Sequence, residues 1–170
     1  MYSNQIEGLR RIIASLEPYK GILHLTIRIH PNLANLPKEI NPVLRLQSDF
    51  VTVVPPESPV STYALIQHSE KVVVFNSTVG IESVFFGKPS ILAGKTTYQE
   101  LGGNYTPQTH EELIALILQQ DLPPKDKLGA LIYGYFLNTF GTPFEFYKAQ
   151  TFFGGTFNGR IPMANRWLFR

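Results

Sequence analysis

One stretch in the middle of the chain, KVVVFNSTVGIESVFFGKP at residues 71–89, constrains the fold more than any other. Its unbroken apolar run at residues 72–75 is typical of a parallel strand that is covered on both faces. Three residues with strong N-cap preferences follow, and they are Asn76, Ser77 and Thr78. A helix is predicted from there to residue 86. Strand, polar turn and helix in this order form the repeating unit of α/β folds.

The turn before this helix suits a bound anion. The first amides of a helix, here at Val79 and Gly80, have no partner within the helix, and the aligned peptide dipoles add partial positive charge. Gly80 lets a ligand approach the backbone closely, and hydroxyls at Ser77 and Thr78 can add donors. The sequence therefore predicts a phosphate site at this turn.

Glu82 has the wrong spacing for a capping box, whether the N-cap is Ser77 or Thr78. A carboxylate at this position can accept hydrogen bonds from sugar hydroxyls, which suits the ribose of a nucleotide. The alternative is an acid of the first turn that only complements the helix dipole. The sequence leaves both interpretations open.

Strand and helix signals alternate along the rest of the chain up to residue 140. Strands are predicted at residues 22–29, 50–54, 71–75 and 90–93, and helices at residues 6–16, 61–69, 78–86, 109–117 and 126–140, with a short helix near 42–48. This alternation predicts an α/β fold, a Rossmann-like open parallel sheet of about four strands flanked by helices. We assign residues 1–150 to this domain.

Residues 151–170 form a different kind of segment, an aromatic and basic C-terminal tail. After Glu145 the chain has no acid, although four cations remain, Lys148, Arg160, Arg166 and Arg170. Such a tail can pack on another domain, be disordered, or lie on an anionic membrane surface. Packing or disorder is the preferred interpretation, and peripheral membrane contact is the alternative.

Composition excludes several classes of function. The 170 residues are 44% hydrophobic, which is enough for one globular domain with a core, and the net charge of +2 without a Lys/Arg cluster argues against nucleic-acid binding. Without cysteine there is no disulfide or thiolate site, and the four histidines lack metal-ligand spacing, so we expect no metal. No apolar stretch approaches the length of a membrane span, and we expect a cytoplasmic location.

His30 follows the first predicted strand, and Pro31 holds it in extended geometry. Ligands of open parallel sheets bind outside the carboxyl ends of the strands, where His30, the turn at 76–78 and the loops at 55–58 and 94–98 are all expected. A histidine there can donate to a phosphate or to a base carbonyl. The alternative is that His30 only caps the strand.

Several motifs together resemble a known family. They are IRIHPN at 27–32, STYALI at 61–66, NSTVGIES at 76–83 and FFGKP at 85–89. This set resembles the C-terminal part of bacterial capsular-polysaccharide synthesis proteins, glycosyltransferases of GT-B fold that include enzymes using CMP-activated Kdo or sialic acid. A looser similarity exists to UDP-N-acetylglucosamine 2-epimerase, in which a Ser/Gly turn and a following Glu bind diphosphate and ribose.

The first resemblance implies a donor-binding domain that holds a CMP- or UDP-linked sugar and needs no other cofactor. It implies that the nucleotide contacts His30-Pro31 and Ser77-Thr78, and we add Val79, Gly80 and Glu82 from the residues themselves. A GT-B enzyme has two such domains with the acidic catalytic residues in the N-terminal half. We therefore expect catalytic residues on a missing N-terminal domain or a partner chain, with this chain as a fragment or split gene product.

The expected function is donor binding within a glycosyltransferase of capsule or surface-polysaccharide synthesis. The expected location is the cytoplasm, with a peripheral position at the inner membrane as the alternative. One alternative is a non-catalytic nucleotide-sugar binding or assembly module. Another is a fragment of a sugar-nucleotide epimerase. Whether the chain by itself is an enzyme is left open by the sequence.

Overall fold

The computed structural model describes residues 1–34, 42–141, 145–151 and 154–160. Contacts within the chain divide it into two units, Met1–Tyr135 and Phe136–Arg170. Most of the predicted tail at 151–170 lies outside the described residues, so a division at residue 150 stays a prediction. Among the described residues, no helix has both the length and the apolar character needed to cross a membrane.

Parallel strands and helices alternate in the first unit, and α5 continues into the second. In chain order the elements are α1 (Gln5–Leu16), β1 (Leu25–Arg28), β2 (Val51–Val54), α2 (Thr62–His68), β3 (Val72–Val74), α3 (Val79–Phe85), β4 (Ser90–Leu92), α4 (His110–Leu118) and α5 (Leu128–Thr139). All of them lie within or close to the predicted ranges. The short helix expected near residues 42–48 is a 3-10 helix at Pro42–Leu46.

The strands pair in parallel, but as two separate two-stranded sheets. β1 pairs with β2 and β3 pairs with β4, with Leu25 opposite Val51 and Val72 opposite Ser90. A single sheet of about four strands is therefore not confirmed for the part of the chain that the structure describes. The second sheet instead gains a neighbour that the sequence did not reveal, because Tyr105 bonds through its backbone to Ser90 and Leu92.

Successive residues of β3 and β4 pack in two different hydrophobic clusters, as expected for strands whose side chains alternate between the two faces of a sheet. Val73 and Ile91 pack in the cluster that contains Leu16 of α1 and Leu113 of α4. The next residues along each strand, Val74 and Leu92, pack in the cluster of α3. Both faces of this sheet are thus covered, which explains why its strands read as continuous apolar runs.

A hairpin in the second unit was not predicted. β5 (Tyr147–Thr151) and β6 (Gly154–Phe157) are antiparallel, with Lys148 opposite Thr156. A tight turn follows β6, in which Asn158 and Gly159 have φ angles of 49° and 73° and Phe157 and Arg160 exchange backbone hydrogen bonds. Asn-Gly is the strongest short sequence signal for a tight turn of this kind, and residues 158–159 are such a pair. The signal therefore marks the turn after β6.

Candidate functional site

An open cleft of about 320 Å³ lies at the carboxyl ends of β3 and β4. The turn after β3 forms one wall and the loop after β4 forms the other. The lining residues are Asn76, Thr78, Lys95, Thr96, Thr97 and Tyr98. This is the position at which open parallel sheets bind ligands.

The first wall is held by a network within the turn. Ser77 Oγ accepts from the amide of Val79 at 3.2 Å, and the Ser77 carbonyl accepts from the amide of Gly80 at 3.1 Å. The two amides expected to be free for a phosphate are therefore already bonded, because Ser77 turns back over the start of α3. Thr78 occupies the N-cap position with a helical backbone and makes no side-chain cap bond.

The free donors lie one step earlier in the turn. Within the described ranges, the backbone N–H groups of Ser77 and Thr78 have no protein acceptor. Thr78 lines the cleft. An anion bound at Thr78 would therefore not have to displace the hydrogen bonds that start α3.

The second wall is tied to the first by Tyr98. This side chain is 2% exposed, and its hydroxyl donates to the Ser77 carbonyl. Its ring packs on Tyr133 with the ring centroids 5.3 Å apart. Burial raises the pKa of Tyr98 to about 12, so the hydroxyl remains a neutral donor well above physiological pH.

Gly80 has a packing role at the first wall. A Cβ on Gly80 would lie 2.5 Å from the Tyr98 hydroxyl and 2.6 Å from Val74 Cγ2. The Gly80 carbonyl accepts from Asn104 Nδ2 at 3.1 Å, and the same amide donates to Ser90 Oγ at 2.8 Å. Gly80 is buried, so the close packing against Tyr98 requires a glycine at this position. The sequence interpretation had explained the glycine by the close approach of a ligand.

Lys95 gives the cleft its charge. The side chain is exposed, and none of the lining residues is an acid. Thr96 Oγ1 is buried and has no hydrogen-bond partner among the residues that the structure describes. Thr97 Oγ1 lies 3.3 Å from the Tyr133 hydroxyl. One cation with several hydroxyls can hold an anion.

Sequence reasoning placed the loop at 94–98 at this edge of the sheet and gave its side chains no role. The overlooked residues are Lys95, Thr96 and Thr97. The sequence signal that could have identified them is a cation followed by two hydroxyl side chains, shortly after a buried strand.

Glu82 lies on α3 and is not among the lining residues of the cleft. A hydrogen bond to the Glu82 carboxylate, together with its negative charge, raises the pKa of the Tyr63 phenol of α2. The side chain of Tyr63 is half exposed and its ring contacts Phe86. The proposed ribose contact of Glu82 stays a prediction.

His30 follows β1 as predicted and is exposed. Its Nδ1 accepts from the Asn32 amide at 3.1 Å, which caps the 3-10 helix that begins at Pro31. His30 thus caps the helix that follows it, whereas the alternative interpretation had it cap the strand before it. No contact among the described residues joins His30 to the cleft, so a nucleotide contact by His30-Pro31 stays a prediction.

Arg28 is a further group at the end of β1 that the sequence did not single out. Its guanidinium donates to the carbonyls of Pro55 and, at 3.2 Å, Ser58. Its buried Nε has no partner in the described part of the chain. Arg28 thus fixes the loop that follows β2 at the carboxyl ends of β1 and β2.

The described residues contain no group of three or more His, Cys, Asp or Glu side chains that could hold a metal ion. His110 instead links two helices. Its Nδ1 lies 2.6 Å from the Tyr2 hydroxyl, and its Nε2 lies 2.8 Å from Ser15 Oγ of α1.

Comparison with known proteins gives one family. Residues 2–140 match the family model described as "Capsule polysaccharide biosynthesis protein". The matched range includes both walls of the cleft and all predicted nucleotide-binding residues. No curated protein and no solved structure matches the chain.

Proposed function

Since the chain belongs to the capsule polysaccharide biosynthesis family, we propose that it binds the nucleotide part of a sugar nucleotide in the cleft between the β3 turn and the β4 loop. Its role in capsule synthesis would be that of the donor-binding domain of a glycosyltransferase of GT-B type. The donor is a CMP- or UDP-linked sugar. The catalytic acid or base comes from an N-terminal GT-B domain or a partner chain.

The observation that supports this proposal is the chemistry of the cleft. Lys95 supplies a positive charge in the cleft, and the backbone N–H groups of Ser77 and Thr78, of which Thr78 lines the cleft, have no acceptor among the described residues. Charge-assisted hydrogen bonds of this kind are the usual means of holding a phosphate. The same donors stabilise the negative charge that develops on the leaving nucleotide during glycosyl transfer. His30 and Glu82 are proposed as outer contacts to base and ribose.

A non-catalytic binding module is the second candidate. The lining residues include neither a carboxylate nor an imidazole, and this specific absence in the cleft favours binding without chemistry by this chain alone. The two candidates share the same bound ligand. They differ in whether a second domain or chain completes a transferase.

Lys95→Gln is expected to weaken nucleotide binding by about 10- to 100-fold, because hydrogen bonds to charged groups contribute about 1.5 to 3 kcal/mol. Isothermal titration of the full chain with CMP, UMP and UDP measures the effect. Lys20→Gln is the matched control, since this exposed lysine lies outside the cleft. Equal affinities of the Lys95→Gln and Lys20→Gln variants would contradict the proposal, as would the absence of binding by the unaltered chain.

His30→Ala tests whether the end of β1 belongs to the same site. A single hydrogen bond from His30 contributes about 1 kcal/mol, so affinity in the same titration should fall about fivefold. The melting temperature should change little, because the side chain is exposed. An unchanged affinity would restrict the site to the β3 and β4 ends.

A further inference from the structure

Tyr98 is the one buried residue in the lining of the cleft. Its side chain is 2% exposed, whereas the other five lining residues are exposed or half-buried. Its hydroxyl already donates to the Ser77 carbonyl, so this group is poorly placed to contact a ligand directly. The position of Tyr98 in the lining therefore needs an explanation other than ligand contact.

The Ser77 carbonyl is held by two donors. It accepts from the Tyr98 hydroxyl and, at 3.1 Å, from the amide of Gly80. This carbonyl belongs to the same planar peptide group as the N–H of Thr78, and in a trans peptide the C=O and N–H bonds point in opposite directions. The two donors on the carbonyl thus fix the direction of the Thr78 N–H, and Thr78 lines the cleft.

Tyr98 also anchors the loop that carries Lys95. This loop starts in close contact with the end of β3, since a Cβ on Gly94 would lie 2.5 Å from the backbone oxygen of Phe75. It ends at Tyr98, which packs in the cluster of α3 and whose ring centroid lies 5.3 Å from that of Tyr133. Lys95 lies between these two positions, so its backbone is anchored on both sides.

We infer that Tyr98 is a positioning residue for the nucleotide. Its hydroxyl ties the Lys95 loop to the turn after β3, and this bond sets the separation of Lys95 and the Thr78 N–H across the cleft. A phosphate between the two walls needs both groups within hydrogen-bond distance at once, because such bonds are short and directional. The inference rests on the proposed nucleotide site and adds to it a residue that acts without touching the ligand.

A double-mutant cycle of Tyr98→Phe with Lys95→Gln tests this inference. Titration of the full chain with CMP and UDP measures the affinities of the unaltered chain, the two single variants and the double variant. Tyr98→Phe keeps the ring and should weaken binding about fivefold, the change that corresponds to one neutral hydrogen bond. In the Lys95→Gln chain the same substitution should weaken binding only about twofold, because one of the groups that Tyr98 positions is then absent.

Tyr105→Phe is the matched control. The Tyr105 hydroxyl also donates to a backbone carbonyl, that of Pro123 at 2.8 Å, but Tyr105 does not line the cleft. This variant should bind like the unaltered chain. Circular dichroism at the temperature of the titration should show every variant folded, so that a loss of stability alone leaves the affinities unchanged.

Three results would count against a positioning role. Equal affinities of Tyr98→Phe and Tyr105→Phe would overturn the inference, while a loss of binding in Lys95→Gln would still support the proposed site. The same factor for Tyr98→Phe with and without Lys95 would also overturn it, because Tyr98 would then act independently of the cation. Failure of the unaltered chain to bind CMP and UDP would refute the proposed function itself, and the inference with it.

Discussion

Gly94→Ala is expected to lower the free energy of unfolding by about 3 kcal/mol and to weaken nucleotide binding as well. A Cβ on Gly94 would lie 2.5 Å from the backbone oxygen of Phe75 and 3.2 Å from its carbonyl carbon. Phe75 directly follows β3, and its backbone oxygen cannot rotate away as the end of a side chain can. The methyl group would therefore force the ends of β3 and β4 apart, directly beneath the cleft.

Urea unfolding and titration with CMP or UDP measure the two effects of Gly94→Ala. Gly21→Ala is the matched control, because a Cβ at Gly21 meets no atom within 4 Å and its backbone is not left-handed. This control should stay within about 0.5 kcal/mol of the unaltered chain. If Gly94→Ala behaved like Gly21→Ala in both measurements, the close approach of the two strand ends would be wrong.

Tyr98→Ala is expected to cost about 3 to 5 kcal/mol of stability, which is a large part of the 5 to 15 kcal/mol typical of a domain. The substitution removes a fully buried ring from the cluster of α3, and it removes the hydroxyl that donates to the Ser77 carbonyl. Tyr98→Phe keeps the ring and should lose only about 1 kcal/mol. The difference between the two variants separates ring packing from the hydrogen bond that joins the cleft walls.

Alkaline pH provides an independent test of the Tyr98 environment. The pKa of Tyr98 is raised to about 12 in the folded chain, against a value near 10 for an unfolded tyrosine. Between these values the unfolded chain releases the phenolic proton first, so the contribution of Tyr98 to stability is complete below pH 10 and is lost as pH rises towards 12. Unfolding free energies measured from pH 8 to 11 should fall more steeply for the unaltered chain than for Tyr98→Phe. Parallel profiles would contradict the burial of this hydroxyl.

Local sequence patterns predicted the elements well, because each is specified by neighbours along the chain. Thr109 illustrates this point, since its Oγ1 accepts from the Glu112 amide at 3.1 Å as the capping-box spacing requires. The Glu112 carboxylate accepts from the amide of Gln108 at 2.7 Å, one residue before the N-cap. The capping-box rule predicts that this glutamate accepts from the N-cap amide, so it does not predict the choice of the neighbouring amide.

Pairing between strands was less predictable. The apolar runs indicated parallel strands, but they do not reveal which strands share hydrogen bonds, and two sheets of two strands have the same pattern as one sheet of four. Tyr105 bonds to β4 from a loop with no strand pattern. Contacts of this kind depend on where the whole chain passes, which periodicity does not encode.

A cleft lies at the predicted edge of the sheet, but among the predicted nucleotide-binding residues only Thr78 lines it. The rule that ligands bind at the carboxyl ends of strands indicated the turn at Ser77 and Thr78 and the loop at 94–98. It did not show that the Val79 and Gly80 amides have acceptors in the turn. It also did not show that Lys95 faces the same cleft. Both facts depend on backbone and side-chain directions that only the folded loops fix.

The alternation along β4 limits how this part of the chain can change length. Ile91 belongs to the cluster of α1 and α4, and Leu92 belongs to the cluster of α3. Inserting or deleting one residue before Ser90 would exchange these two side chains between the opposite faces of the sheet. It would also displace Lys95 and Tyr98 from the wall of the cleft that they form. Insertions should therefore be tolerated in the loops away from this edge, while the spacing from β3 to the Lys95 loop stays fixed in any functional variant.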